Sequence, residues 1–161
     1  MPHARPLIPD EIALFPHDFT RQFDIASVRL IDRAHNPFAL GKILVRGSRI
    51  YWPSAPADFT REPLARQALL MHELCHVWQY ATRRLSAWRY LTRPRNWIYG
   101  YDIRLRNFDA HAIERQADLL QDWYIINKGD LACRFAEATP RPTRDEINAV
   151  VPFHFHPLGR V

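Results

Sequence analysis

Cysteine and glycine are scarce in this chain, with 2 and 5 among its 161 residues. Two cysteines, Cys75 and Cys133, cannot form a disulfide framework, and their spacing suggests no thiolate metal site. No run approaches the ~18 apolar residues that a membrane helix needs, so no membrane span is expected. The opening MPHARPLIPDEIALF lacks the charged-then-apolar pattern of a signal peptide. The expected location is therefore the cytoplasm, with any export by a specialised secretion system that needs no cleaved leader. The charge imbalance is mild, 22 Lys+Arg against 17 Asp+Glu. The basic groups are spread along the chain apart from a denser stretch, Arg83 to Arg106, which reads as a solvated face. With no nucleic-acid motif beside them, no nucleic-acid partner is expected. Against these absences stand 47% hydrophobic and 24% charged residues, the balance of a globular protein. The length suits one domain, residues 1–161, with its own core. The 13 prolines call for stiff connections.

The hydrophobic pattern divides the chain into a β-rich part, about 27–57, and a helical part, about 60–150. The first residues to Pro6 read as an untethered start. Pro9-Asp10-Glu11 is a helix-start signal for a short helix to about Phe15. Ser27 to Ile31 alternates like a strand. Lys42 to Val45 and Arg49 to Trp52 flank Gly47-Ser48 as a hairpin, closed by Pro53 and Pro56. From Arg61 to about Ala81 the period becomes helical, with Thr60 as N-cap, and apolar groups all round the helix place it centrally. Arg83 to Leu91 is ambiguous, and Trp97 to Tyr101 reads as a short strand or an ordered loop. Asp109 is expected to cap a second long helix to about Asn127, stopped by Lys128-Gly129, and a last helix to start near Thr143. The expected fold class is α+β.

The central helix contains His72-Glu73-Leu74-Cys75-His76, an H-E-x-x-H motif. Histidines four residues apart share one helix face, and both rings can reach one ion. Glu73 lies about 100° round the helix, poorly placed as a ligand but near enough to take a proton from a metal-polarised water. Cys75 falls off the histidine face and reads as a small core residue. A hydrolytic zinc ion takes three protein ligands and keeps one open position. Glu114 and Asp118, again four apart on one helix, offer a third ligand and an acceptor for the free N–H of a ligand histidine. His111 and Asp102 are alternative ligands. The developing oxyanion needs an electrophile, for which Tyr99, Tyr101, His154 and His156 are available; Tyr101 is the one selected.

H-E-x-x-H followed by Glu-x-x-x-Asp on a later helix resembles the gluzincin branch of the zincin metallopeptidases. RPLIPDEIAL, GKILVRGSRIYW, LLMHELCHVWQY, the YGYD segment and FDAHAIERQADLLQDWY together resemble small bacterial zincin-like proteins, Vgr-related, whose relatives occur beside contractile injection and toxin-delivery systems. The resemblance covers roughly residues 5 to 127. It implies a zinc site of His72, His76 and Glu114 with Glu73 as general base. It also implies a small antiparallel or mixed sheet packed on the H-E-x-x-H helix and on a second ligand-bearing helix. In zincins an edge strand beside the active-site helix binds peptide by strand addition, and Arg49 to Trp52 is a strand to examine for that role.

The expected function is zinc-dependent hydrolysis of peptide bonds in a protein or peptide substrate. The alternative is a non-catalytic, metal-stabilised module of a secretion or toxin-delivery system, with a secretion-system partner.

Overall fold

The computed structural model describes residues 4–35, 41–86, 98–129, 134–136 and 141–155. Most of Arg83 to Leu91, as well as Trp97, Cys133 and His156, lie outside them. The fold is α+β. Its sheet has four short strands, β1 (Ala4–Arg5), β2 (Arg29–Ile31), β3 (Leu44–Arg46) and β4 (Arg49–Tyr51), in the order β1-β2-β4-β3. β1 and β3 run antiparallel to their neighbours, whereas β2 and β4 are parallel, so the sheet is mixed. Gly47 turns the β3–β4 hairpin with φ of 62°, at the first turn position, where a type II′ turn takes glycine. The five helices among the described residues are α1 (Pro9–Ile12), α2 (His17–Thr20), α3 (Leu64–Ala81), α4 (Ile113–Asn127) and α5 (Arg144–Val150).

Helices α3 and α4 pack along each other, and α3 also packs on β3 and β4. Every residue of α3 from Leu70 to Gln79 is buried, as is every residue of α4 from Gln116 to Ile126. A helix with no exposed stripe belongs to an interior, so the central placement expected for α3 holds. Cys75 is fully buried within it, and its environment pushes the thiol pKa well up, chiefly through burial. At the other end of the chain, Thr143 and Glu146 form the capping box that starts α5, whose Ile147 and Val150 are buried.

Three expectations fail at element ends. The start of the chain is tethered: Ala4 and Arg5 pair with Ile31 and Leu30. Arg5 donates to both carboxylate oxygens of Glu11, at 2.8 and 2.7 Å, and to the Pro56 carbonyl at 2.7 Å. Thr60 does not cap α3. Asp58 accepts from its backbone and hydroxyl, making a 3₁₀ turn of Phe59–Arg61, and Glu62, preceding Pro63, is extended, which delays the helix to Leu64. Asp109 likewise does not cap α4. Asn107 caps a 3₁₀ turn of Phe108–Ala110, Arg84 takes the Asp109 carboxylate, and α4 starts after Ala112 without a side-chain cap.

Glu11 is completely buried and also accepts from the backbone N–H groups of Ile8 and Phe59, both at 2.9 Å. Burial opposes its charge, but Arg5 and these two N–H groups outweigh burial and hold its pKa below the ordinary value. Four hydrogen bonds thus join β1, α1 and the approach to α3. A lowered folded-state pKa gives stability that is present above the unfolded value, near 4.5, and is lost as pH falls through the folded one. Glu11→Gln should cost about 3 kcal/mol, since it leaves Arg5 without its charged partner. Denaturant titrations should show wild type losing stability on acidification below pH ~4.5, with a flatter response in Glu11→Gln.

Candidate metal centre

His72 and His76 lie on α3, one turn apart, and Glu114 lies in the first turn of α4, where the helix dipole favours a carboxylate. Packing of the two helices brings these side chains together. His72 Nε2 and His76 Nε2 are 3.2 Å apart, and Glu114 Oε2 is 3.5 Å from the first and 3.3 Å from the second. Ligand atoms on a tetrahedral ion with bonds of about 2.0–2.1 Å are separated by about 3.3–3.4 Å. The three atoms therefore form a triangle of the size needed to hold a metal ion, from the residues that the motif spacing selects. All three residues are buried, at 7%, 7% and 3% exposure.

The surroundings of the two histidines differ. His72 Nδ1 faces Asp118 Oδ1 at 3.4 Å, at ion-pair distance but not aligned as a hydrogen bond. Asp118 is fully buried, and its other oxygen accepts the Gly100 N–H at 2.7 Å. Gly100 makes this approach with φ of 80°, a left-handed conformation that favours glycine. Without metal, burial opposes a charge on His72, but Asp118 and Glu114 outweigh it and push its pKa up to about 10. Its partner Glu114 is held below the usual carboxylate range; burial opposes this, and His72 and His76 overcome it. His76 Nδ1 instead meets Gln79 Oε1 at 2.8 Å. Gln79 is completely buried and donates to the Ile113 carbonyl at 3.0 Å and to Gln116 Oε1 at 2.9 Å. The sequence reading missed Gln79. Its spacing of three residues after His76, on the same helix face, was the available signal.

Glu73, adjacent to a ligand but off the ligand face, is 7% exposed and has no hydrogen-bond partner among the described residues. Burial raises its pKa, and the attraction of His72 and His76 offsets this only in part.

The alternatives for third ligand fall outside the cluster. His111 uses Nε2 on the Leu105 carbonyl at 3.0 Å. Asp102 pairs with Arg104. His154 is exposed and held by Asp18 through its backbone N–H. Tyr101, selected from sequence as electrophile, is fully buried with its hydroxyl donated to Asp122 at 2.9 Å. That oxygen is committed to the interior, which corrects the choice. Tyr99 is 60% exposed, and its hydroxyl pKa is raised first by burial and then by the charges of Glu114, Asp118 and Glu73. Of the two tyrosines, Tyr99 is the one that combines exposure with electrostatic contact to the cluster.

The molecule is thus an α+β protein with a buried two-histidine, one-carboxylate cluster between its main helices. No protein-family model matches the chain. The chain is 31% identical over 134 residues to the type VI secretion system spike protein VgrG2b of Pseudomonas aeruginosa. That match takes in 76% of this chain and 13% of the spike protein, so the chain spans about an eighth of its relative's length. Among solved structures it is similar to the effector domain of Pseudomonas aeruginosa VgrG2b, with a TM-score of 0.58 and 24% identity. That likeness covers 78% of this chain and 75% of the domain, and it shows a shared fold.

Because Tyr101 serves Asp122 rather than the cluster, Tyr101→Phe should cost about 1–3 kcal/mol in unfolding free energy. It should leave divalent-metal affinity at its wild-type value by calorimetry. A selective loss of metal affinity without loss of stability would return Tyr101 to the site.

Proposed function

We propose that the chain is a zinc-dependent, zincin-like peptidase of the kind carried by toxin-delivery systems, with His72, His76 and Glu114 holding the ion. The observation that carries this reading is a triangle of tetrahedral dimensions with Glu73 beside it. Two imidazoles and one carboxylate are a donor set that suits zinc and leaves a position open. When bound, zinc supplies a Lewis acid that polarises a carbonyl and acidifies water. Glu73 takes the proton from the attacking water and delivers it to the leaving amine. Its raised pKa makes it a better base than an ordinary carboxylate, and it has no structural hydrogen bond to break first. Asp118, in ion-pair contact with His72 and anchored by Gly100, orients that ring from behind. Tyr99 stands as the hydroxyl available to a developing oxyanion.

The substrate reading is an extended peptide. β3, not the Arg49 strand singled out from sequence, is the outer strand of the hairpin, since β4 lies between β2 and β3. Among the described residues no strand pairs with the free edge of β3, which packs against α3. Strand addition there would bind main chain with little sequence selectivity. The similarity to a spike protein and to the fold of its effector domain supports the association with delivery. It supports more directly a second reading, a metal-stabilised module of a delivery system with no catalysis, and Glu73 separates the two.

Elemental analysis of protein purified without chelator should give one zinc per chain, and replacing both His72 and His76 with Ala should abolish it. Asp118→Ala should retain zinc with affinity weaker by about 10–100-fold. Glu73→Gln should keep zinc and a near-wild-type Tm while losing at least about 10²-fold in cleavage of an unfolded protein. If zinc-loaded wild type cleaves nothing across a broad peptide library and Glu73→Gln matches it in every assay, the non-catalytic module stands instead.

A further inference from the structure

Two buried glutamines in the α3–α4 interface carry hydrogen bonds whose direction can be followed from one end to the other. Gln116 Nε2 lies 3.1 Å from the Phe108 carbonyl, and Gln79 Nε2 lies 3.0 Å from the Ile113 carbonyl. A backbone carbonyl only accepts, so each amide must turn its NH₂ towards its carbonyl. Rotating either amide by half a turn would set oxygen against oxygen in a buried interface. The Gln116 oxygen is thereby free to accept the second Gln79 N–H, at 2.9 Å. The Gln79 oxygen is left to accept, and the group it meets is His76 Nδ1 at 2.8 Å.

We propose that Gln79 is a positioning residue that holds His76 as the Nδ1–H tautomer and aims the bare Nε2 at the metal. This inference rests on the zinc reading for its purpose but not for its geometry. The chain of bonds runs Phe108 carbonyl, Gln116, Gln79, His76, and every donor and acceptor in it is directed by the backbone end. The same amide bonds Ile113, the residue before Glu114, so one side chain sets both the ring orientation of the second ligand and the distance from α3 to the third. His72 is held differently: Asp118 faces its Nδ1 at 3.4 Å, a longer and unaligned contact that acts through charge. A neutral amide also fixes the ring without adding another negative charge to a cluster that already holds Glu73, Glu114 and Asp118.

Nitrogen-detected NMR of the histidine rings in metal-free protein, in mildly alkaline solution, reads the tautomer directly. Wild type should show His76 protonated at Nδ1 and bare at Nε2, and zinc addition should leave the Nδ1 proton in place. Gln79→Met removes the acceptor at similar size. It should mix the His76 tautomers and weaken zinc affinity by about 10–100-fold. Gln116→Met removes one bond between the helices, from Gln79, and the bond to the Phe108 carbonyl, but leaves Gln79 held by Ile113. It should lose stability yet keep the Nδ1–H tautomer and near-wild-type zinc affinity. Neutral His76 with its proton on Nε2 in wild type would overturn the proposal even if Gln79→Met fails to fold. So would zinc affinities that fall in step with Tm in both variants. A wild type that takes up no zinc sinks the zinc reading alone, because the tautomer is read without metal.

Discussion

Two helices without an exposed face have been packed together while carrying histidines, glutamines and carboxylates, and that burial of polar groups is the constraint on which the structure depends. Leaving one such group unpaired costs about 1–3 kcal/mol, and more when it is charged. The interface answers with contacts that cross from α3 to α4: His72 and His76 to Glu114, His72 to Asp118, Gln79 to Gln116 and to the Ile113 carbonyl. Side-chain partners of this kind fix axial and rotational register in a way that leucine and tryptophan contacts do not. The cluster and the helix packing are therefore one arrangement.

Glu73 stands apart from these contacts: it is 7% exposed, no hydrogen bond holds its carboxylate among the described residues, and its oxygens are not among the sealed polar atoms left without a partner. Glu11, completely buried, shows what a structural carboxylate looks like here, with Arg5, Ile8 and Phe59 all bonded to it. The contrast between the two glutamates separates a group that holds the fold from one that no hydrogen bond ties to it, which is what the proposed proton transfer would need.

Much of the site was legible because its geometry is local. His72 and His76 share a helix face by spacing alone, and so do Glu114 and Asp118; the remaining step was to see that two helices buried all round must meet. The hairpin was legible from Gly47, and α5 from the Thr143–Glu146 pair. What could not be read depends on contacts distant in sequence. β1 is two residues long and exists because Arg5 finds Glu11 and Pro56. The parallel pairing of β2 with β4 has no local signal. Thr60 and Asp109 carry ordinary capping chemistry, but Asp58 and Arg84 claim them first. Tyr99 and Tyr101 look alike as letters, and only the fold sends one hydroxyl to Asp122 and leaves the other exposed. Gln79 was passed over because an amide announces neither charge nor metal affinity.

Cys75 sits between the two ligand histidines in sequence, yet it is sealed in the core as a neutral thiol. Thiol reagents and oxidants attack the thiolate, so where α3 recloses faster than the reagent acts, the rate at which this sulfur reacts scales with the fraction of time α3 is open. The helix that holds the proposed ligands thus carries its own clock. Anything that tightens the cluster, an ion above all, should slow the labelling of Cys75, and the ratio of the two rates gives the coupling between the centre and the core in units of opening free energy.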